Sequence, residues 1–263
     1  MKLLHIKWLL CAGGLMATAC TKPIHVNLND ASPQLVIEGN VLNTPGPYYV
    51  QIHQSVNFSE PNVYPPVSGA VVILSDSTSG LTDRLSEITP GIYATDSLQG
   101  IPGHHYRLFI SIKGHQYAAA STMPQPVSLD SVTIEHMHDF GTDLIFAVAN
   151  FQDPAGVANY YTFLEFINGK RPHKQTFTLD DRLSDGKYIV QQFFTDSSDI
   201  KSGDTVSLQM SSVDKHVYDY FKDLPTGNNG QSASPANPQS NISGGVLGYF
   251  SAQTIQLKSV ITH

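Results

Sequence analysis

The chain has 263 residues, of which 41% are hydrophobic and only 14% are charged, and its formal net charge at pH 7 is −7. A net negative charge argues against nucleic acid as a partner, because phosphate contacts need a basic surface, and against electrostatic binding to anionic lipid. The 20 Gly, 16 Pro, 12 Tyr and 12 Phe indicate an all-β chain with many turns.

The first residues of the chain have the layout of a bacterial lipoprotein signal. Lys2 and Lys7 form a positively charged start, a short apolar run continues to Met16, and small residues follow. This layout predicts cleavage between Ala19 and Cys20 and lipidation of Cys20. The alternatives are a secreted protein with an incidental Cys20 and an N-terminal membrane anchor. However, the apolar run is shorter than the roughly 20 residues that span a bilayer.

Cleavage at this position predicts how the mature chain is attached to the cell. Residues 1–19 contain two lysines and no acidic residue, so their removal changes the formal net charge from −7 to −9. The mature chain then keeps one cysteine, which excludes an internal disulfide. More than one acyl chain on a cysteine gives stable anchoring. We therefore predict a lipid-anchored protein of the cell envelope.

The first half of the mature chain has the pattern of a β-sandwich. Residues 20–33 are polar and contain two prolines, which is typical of a tether. Short strand-like runs then follow at intervals of about 8–12 residues. They comprise residues 34–41, 48–55, 70–75, 84–88, 107–113 and 116–121. Residues 34–122 are therefore predicted to form an immunoglobulin-like or transthyretin-like β-sandwich.

The second half is predicted to be a separate β domain behind a proline-bracketed linker at residues 122–127. Its strand-like runs comprise residues 130–138, 143–151, 159–167, 175–179, 187–194, 205–212 and 246–257. Residues 214–224 are the one helix candidate, with Asp214 as its N-cap and apolar residues at helical spacing. Residues 123–263 are therefore predicted to form an antiparallel β domain with one short helix.

A Gly-, Asn-, Ser- and Pro-rich segment at residues 225–245 separates the helix candidate from the last strand. Loops of this length inside a compact domain are usually functional or disordered, and we nominate this one for contact with a partner. The nominated residues are Asn228, Asn229, Ser240, Asn241, Gly244 and Gly245. The alternative is that Pro235 and Pro238 pin an extended crossover across the sandwich.

Two groups of side chains are weak candidates for metal binding. His136 and His138 alternate on one strand and share a face, as zinc ligands require, but exposed histidines at a strand end are the simpler explanation. Asp181 and Asp185 lie in an acidic turn, with Asp153 in another, and could offer oxygen ligands to Ca²⁺. Aspartate also stabilises turns by accepting backbone hydrogen bonds. We therefore predict no metal and no other cofactor.

Catalytic motifs are absent from the sequence. It contains no Gly-x-Ser-x-Gly, His-Glu-x-x-His, Walker loop or Gly-x-Gly-x-x-Gly. We therefore expect a protein that is not an enzyme. A cell-surface hydrolase whose site is assembled from scattered residues is the alternative.

Segments spread over nearly the whole mature chain carry a family resemblance. They read LVIEGNV, PVSGAVV, PGIYATD and GIPGHHYRL in the first half, and FQDPAGVANYY, DDRLSDGKY, GDTVSLQM, SSVDKHVYDYF and SNISGGVLGYFSA in the second. These segments resemble a family of Bacteroidota envelope lipoproteins grouped as domain of unknown function four thousand two hundred and forty-nine. The resemblance implies an outer-membrane lipoprotein, often encoded beside a TonB-dependent receptor, with no established activity and no assigned catalytic residues.

The expected function combines the predicted anchor with this resemblance. We expect a lipid-anchored accessory protein of the outer membrane that binds a TonB-dependent receptor, the receptor's substrate, or both. We expect it at the cell surface rather than at the periplasmic face. A structural or adhesive envelope module without a small ligand is the alternative.

Overall fold

A computed structural model describes residues 32–57, 60, 61, 63–139, 142–172, 176–194, 200–224 and 238–263. The predicted signal peptide and most of the predicted tether lie outside this part of the chain. Within the described residues, no helix is long and apolar enough to cross a membrane.

The described residues form 15 strands and one helix. In chain order the strands are β1 (Leu35–Leu42), β2 (Tyr49–Gln54), β3 (Val71–Asp76), β4 (Thr82–Arg84), β5 (Ser86–Thr89), β6 (Ile92–Ala94), β7 (His105–Ile112), β8 (His115–Thr122), β9 (Ser131–Asp139), β10 (Thr142–Gln152), β11 (Tyr160–Ile167), β12 (Phe177–Asp180), β13 (Tyr188–Phe193), β14 (Thr205–Ser212) and β15 (Leu247–Ile261). The helix α1 (Lys215–Asp223) lies between β14 and β15. The predicted all-β class with one short helix is confirmed.

The strands form three sheets that pack as a sandwich. The largest sheet has eight strands in the order β12-β11-β14-β15-β1-β2-β6-β5. A four-stranded sheet, β4-β3-β7-β8, covers one half of it, and a three-stranded sheet, β13-β10-β9, covers the other half. One hydrophobic core lies beneath each small sheet.

The first core is built by the alternation of side chains along β1 and β7. Ile37 on β1 and Leu108 and Ile110 on β7 are at most 2% exposed. Phe250 of β15 packs into the same core. Because successive strand residues point to opposite faces, this alternation directs the intervening residues away from the core. Full burial of each such side chain contributes about 1.5–3 kcal/mol.

The second core is dominated by aromatic rings. The ring of Phe151 lies edge-on to that of Tyr161, with centroids 5.1 Å apart, and the rings of Phe163 and Phe193 are 4.9 Å apart. All four side chains are fully buried. These separations fall in the range of favourable aromatic pairs, so the three-stranded sheet is held to the large sheet mainly by ring packing.

β15 joins the two halves of the large sheet. Its residues 247–253 pair in parallel with β1, and its residues 254–261 pair antiparallel with β14. Near the predicted domain boundary the chain passes from one hydrophobic core to the other, because Met123 belongs to the first core and Val127 to the second. The second half of the chain also contributes to the first core, through Ile242, Val246, Phe250 and Ala252. The division of the chain into two domains stays a prediction.

The helix begins where the sequence predicts it. The Asp214 carboxylate accepts a hydrogen bond from the Val217 amide at 3.0 Å, which is the geometry of an N-cap. Val217 is fully buried in a small third cluster beneath the helix. The predicted helix and its cap are therefore confirmed.

Helix α1 lies on the face of the large sheet that points away from both cores. The Tyr218 ring is 5.2 Å from the ring of Tyr160, and the Tyr220 ring is 5.1 Å from that of Tyr249. Tyr160 and Tyr249 directly precede core residues on their strands, so their side chains point to the opposite face. A short helix covers only part of this face.

Asp76 organises the turn that follows β3. It is 1% exposed, accepts a hydrogen bond from the Ser79 hydroxyl at 2.6 Å, and lies 2.7 Å from His104 Nδ1. Burial alone would raise the pKa of this carboxyl group, but hydrogen bonds from Ser79, His104 and two backbone amides outweigh it and lower the pKa from 3.8 to about 2. The ionised carboxylate therefore stabilises the folded state.

This lowered pKa gives a prediction for acid stability. A carboxyl group with a folded pKa near 2 contributes stability above pH 4, and that contribution is lost as the pH falls through 2. We expect Asp76→Asn to cost roughly 2 kcal/mol at pH 7 and progressively less below pH 4. Urea denaturation of both proteins at pH 7, 4 and 2.5 measures the difference. A pH-independent difference would contradict the assignment.

Candidate functional site

The face of the large sheet that points away from the cores carries a groove. Five neighbouring strands, β2, β1, β15, β14 and β11, supply its floor. The polar floor residues are Tyr49, Gln51, Glu38, Asn40, Tyr249, Gln253, Gln209, Ser211 and Thr162. The cavity has a volume of about 440 Å³, which lies within the roughly 300–1,000 Å³ of ligand pockets. We call it the open-face groove.

The strand register places three different functional groups side by side in the groove. Glu38 on β1 pairs with Tyr249 on one side and with Gln51 on the other. Adjacent strands lie about 4.8 Å apart, so the phenol, carboxylate and amide form one row across the sheet. Among the described residues, the side chains of Glu38 and Gln51 make no hydrogen bond. Their polar atoms are therefore available to a ligand.

The walls of the open-face groove come from α1 and from the connection between β11 and β12. Phe221 of α1 packs against Tyr249, with ring centroids 4.8 Å apart. On the other wall the Arg171 guanidinium donates a hydrogen bond to the Thr176 hydroxyl at 3.0 Å. The aromatic ring of Phe221 and the hydrogen-bonding side chain of Arg171 therefore flank the floor of the groove on different sides.

The open-face groove is lined by one negatively and one positively charged side chain, and tyrosines at or beside it keep their phenolic protons. Its lining includes one carboxylate, Glu38, and one guanidinium, Arg171. Burial, and secondly the negative charge of Glu38, raise the pKa of the neighbouring Tyr220 to about 12. Burial likewise raises the pKa of Tyr249. Both phenols therefore keep their protons at neutral pH and can donate hydrogen bonds.

A second cavity continues the groove across the sheet. It has a volume of about 990 Å³ and shares Glu38 and Gln51 with the open-face groove. The rings of His53 and Tyr64 lie 5.3 Å apart and both line this second cavity. The two cavities together make an elongated trough rather than a closed pocket.

The predicted histidine pair lies apart from this trough. His136 and His138 are both exposed on β9. Within the part of the chain that the structure describes, the three-residue cluster with metal-ligand spacing does not include either histidine. The expectation that His136 and His138 hold no metal stays a prediction.

The cluster that does form brings together Asp181 and Asp185, which were predicted as weak ligands, with Asp153. One carboxylate oxygen of each lies within 4.8 Å of the others. The Tyr161 hydroxyl donates to Asp153 at 2.5 Å, and the Gly186 amide donates to its other oxygen at 3.0 Å. Asp153 therefore has both oxygens engaged inside the protein.

The other two carboxylates also accept backbone hydrogen bonds. Asp181 accepts from the Asn159 amide and Asp185 from the Gly156 amide, both at 2.7 Å. The cluster thus fastens the connection after β10 to the connection after β12. This is the turn-stabilising role that the sequence left open for aspartate. The expectation of no bound metal at these residues stays a prediction.

The nominated loop is only partly described. Asn228 and Asn229 lie outside the described residues. The Asn241 side chain donates to the Phe250 carbonyl at 2.7 Å and accepts from the Phe250 amide at 2.9 Å. The Ser240 hydroxyl accepts from the Ile242 amide at 3.1 Å.

The end of this loop is fastened to the first sandwich. Ile242 forms a β-bridge with Ala119 on β8, and it is buried in the first core. The next residues, Gly244 and Gly245, are exposed with positive φ. A partner contact by this loop stays a prediction, and so do cleavage at Ala19 and lipidation of Cys20, which lie outside the described residues.

Sequence reasoning did not nominate the groove residues, although one signal pointed to them. The alternation in β2 places Tyr49, Gln51 and His53 on one face. A solvated strand face has the same pattern, so alternation alone does not distinguish it from a binding surface. The additional information is the register of β1 with β15, two strands distant in the sequence, which places Glu38 beside Tyr249.

The family of this chain follows from a comparison with protein-family models. A search of curated proteins finds no significant match. One family model, described as domain of unknown function (DUF4249), matches residues 21–259, which include every strand of both sandwich halves except the end of β15. The chain therefore belongs to the family of proteins with the domain of unknown function DUF4249.

Proposed function

We propose that this protein is a lipid-anchored accessory protein of the outer membrane, which works by binding a TonB-dependent receptor, the receptor's substrate, or both. The lipoprotein-type signal that ends at Cys20 supports the anchor. The gene neighbourhood implied by the family resemblance supports the choice of partner.

The observation that carries the binding role is the open-face groove. Its floor holds polar side chains that make no hydrogen bond within the described part of the chain, notably Glu38 and Gln51. Buried hydrogen bonds elsewhere stabilise the fold, as at Asp153 and Asp214. A set of unused donors and acceptors above a rigid sheet is an arrangement suited to recognition.

Co-purification tests the proposed partner. The full-length protein, tagged at its C-terminus and isolated from native outer membranes in mild detergent, is expected to bring down a TonB-dependent receptor in near-stoichiometric amount. The matched control is Cys20→Ala, which is expected to lose the acyl chains, leave the outer-membrane fraction and lose the receptor. Mass spectrometry identifies the proteins in both samples.

Repeated recovery of the wild-type protein without a receptor would contradict the proposed partner. The structural or adhesive envelope module would then be the better description. Retention of Cys20→Ala in the outer membrane at wild-type level would contradict the lipid anchor.

A further inference from the structure

We infer that the open-face groove binds a linear, neutral oligosaccharide. The inference deepens the proposed binding role, because it names the substrate class of the same groove, and it does not depend on the identity of the receptor. It follows from four features of the groove: its functional groups, its aromatic rings, its charge and its shape.

The functional groups of the floor match those of a sugar. The Gln51 amide offers a donor and an acceptor on one planar group, and Glu38 offers two acceptor oxygens. Gln253 offers its amide donor, since its oxygen accepts a hydrogen bond from the Ser251 hydroxyl. A pyranose carries adjacent hydroxyls, each of which both donates and accepts. Rows of amides, carboxylates and phenols can therefore satisfy several hydroxyls of one ring at once.

Aromatic rings lie at both sides of these polar groups. Tyr49 is 43% exposed and lines the groove from β2, while Tyr249 and Phe221 line it from the other side. The apolar face of a pyranose, made of its C–H groups, packs on such rings. Tyr49 and Phe221 thus supply apolar contacts that complement the hydrogen bonds of the floor.

A peptide is a poorer fit for this groove. Extended peptides are usually bound by adding a strand to an exposed sheet edge, where backbone groups are unpaired. The floor strands β2, β1, β15, β14 and β11 are all internal and have neighbours on both sides. Recognition on this face must therefore use side chains, as sugar recognition does.

The charge and the shape of the groove also favour a neutral, linear ligand. Glu38 and Arg171 are the charged side chains of the open-face groove, and the lining of the continuing cavity adds Glu60. A polyanion would face these two carboxylates, and a polycation would face the Arg171 guanidinium. The second cavity extends the groove past Glu38 and Gln51. This continuation accommodates a chain of sugar units better than a single ring.

Isothermal titration calorimetry on the full mature lipoprotein, in a detergent without a sugar headgroup, tests the inference. The probes are cellohexaose, maltohexaose, xylohexaose and mannohexaose, with hexagalacturonic acid and a Gly-Ser hexapeptide as comparators. We expect at least one neutral hexasaccharide to bind and both comparators to fail. Tyr49→Ala and Gln51→Ala are each expected to weaken that binding about tenfold, equivalent to about 1.4 kcal/mol.

The matched control is Tyr188→Ala on β13, a tyrosine that is 53% exposed and belongs to the three-stranded sheet. It is expected to bind like the wild type, and circular dichroism checks that all variants are folded. The inference is overturned if no neutral hexasaccharide binds at about 1 mM, if a comparator binds more tightly, or if the groove variants bind normally. If a hexasaccharide binds but co-purification recovers no receptor, only the proposed partner is overturned. If a receptor is recovered but no hexasaccharide binds, only the inferred ligand is overturned.

Discussion

Replacing Gly248 with alanine is expected to destabilise the protein by about 4 kcal/mol or more, which is at the extreme of single substitutions. Gly248 lies on β15 opposite Ile37 of β1, and its φ is 97°. A Cβ atom at this position would lie 1.9 Å from the Ile37 carbonyl oxygen. Because that oxygen belongs to the backbone of a central strand, the two strands would have to separate.

The consequence extends beyond one contact, because β15 is the strand that joins the two halves of the large sheet. The control is Gly203→Ala, where φ is 89° and the added Cβ would meet no atom of the described residues within 4 Å. Gly203→Ala introduces backbone strain at a positive φ but no steric clash, so it is expected to destabilise the protein by only about 1–3 kcal/mol. Urea denaturation of the mature lipoprotein in detergent measures both losses of stability, and equal losses would contradict the expected steric clash at Gly248.

Asp214→Ala is expected to cost about 3 kcal/mol. The Asp214 carboxylate caps α1 through the Val217 amide and also accepts from the Ser121 hydroxyl at 2.5 Å. Ser121 in turn accepts from the Ala252 amide at 2.8 Å. Loss of the cap costs about 1 kcal/mol, and loss of the partner of a buried hydroxyl costs about 1–3 kcal/mol more.

The matched control for this prediction is Asp219→Ala in the same helix. Its carboxylate forms an exposed ion pair with Lys215, one helical turn away, at 2.5 Å. Exposed ion pairs of this kind contribute little to stability, so the control is expected to be nearly neutral. Thermal and urea denaturation compare the two variants with the wild type. A loss below about 1 kcal/mol for Asp214→Ala would mean that the chain Asp214–Ser121–Ala252 does not hold the helix to the first sandwich.

Local patterns were sufficient to predict most elements. The alternation in β14 predicted residues 205–212 as a strand, with the bounds that the structure has. Asp214 followed by apolar residues at helical spacing predicted α1 and its cap. These signals succeed because they depend on neighbouring residues, whose periodicity directly reflects which face is buried.

The pairing of β1 with β15 could not be predicted in the same way. The two strands are separated by some 200 residues of sequence, and their parallel register depends on a glycine, Gly248, at the point of closest approach. Neither strand carries a local signal for its distant neighbour. The groove depends on that register, since Glu38 lies next to Tyr249 only when β1 and β15 pair as they do.

The acidic cluster of Asp153, Asp181 and Asp185 could be predicted from the sequence only in part. Asp181 and Asp185 were nominated together because they are close in sequence, and Asp153 was noted in a separate turn. The structure brings one carboxylate oxygen of each within 4.8 Å of the others, because the connection after β10 and the connection after β12 are hydrogen-bonded to each other. Sequence identified the residues and their turns, but only the fold shows that their oxygens already accept backbone amides.

The most direct test of the binding role is cross-linking mass spectrometry on intact outer membranes, where neither detergent nor dilution can disrupt a complex. A lysine-reactive reagent is applied to membranes that contain the wild-type protein, and cross-linked peptides are identified. The account predicts cross-links from lysines of this protein to a TonB-dependent receptor. Cross-links confined to pairs of lysines within this protein, in membranes where known receptor complexes do cross-link, would contradict it.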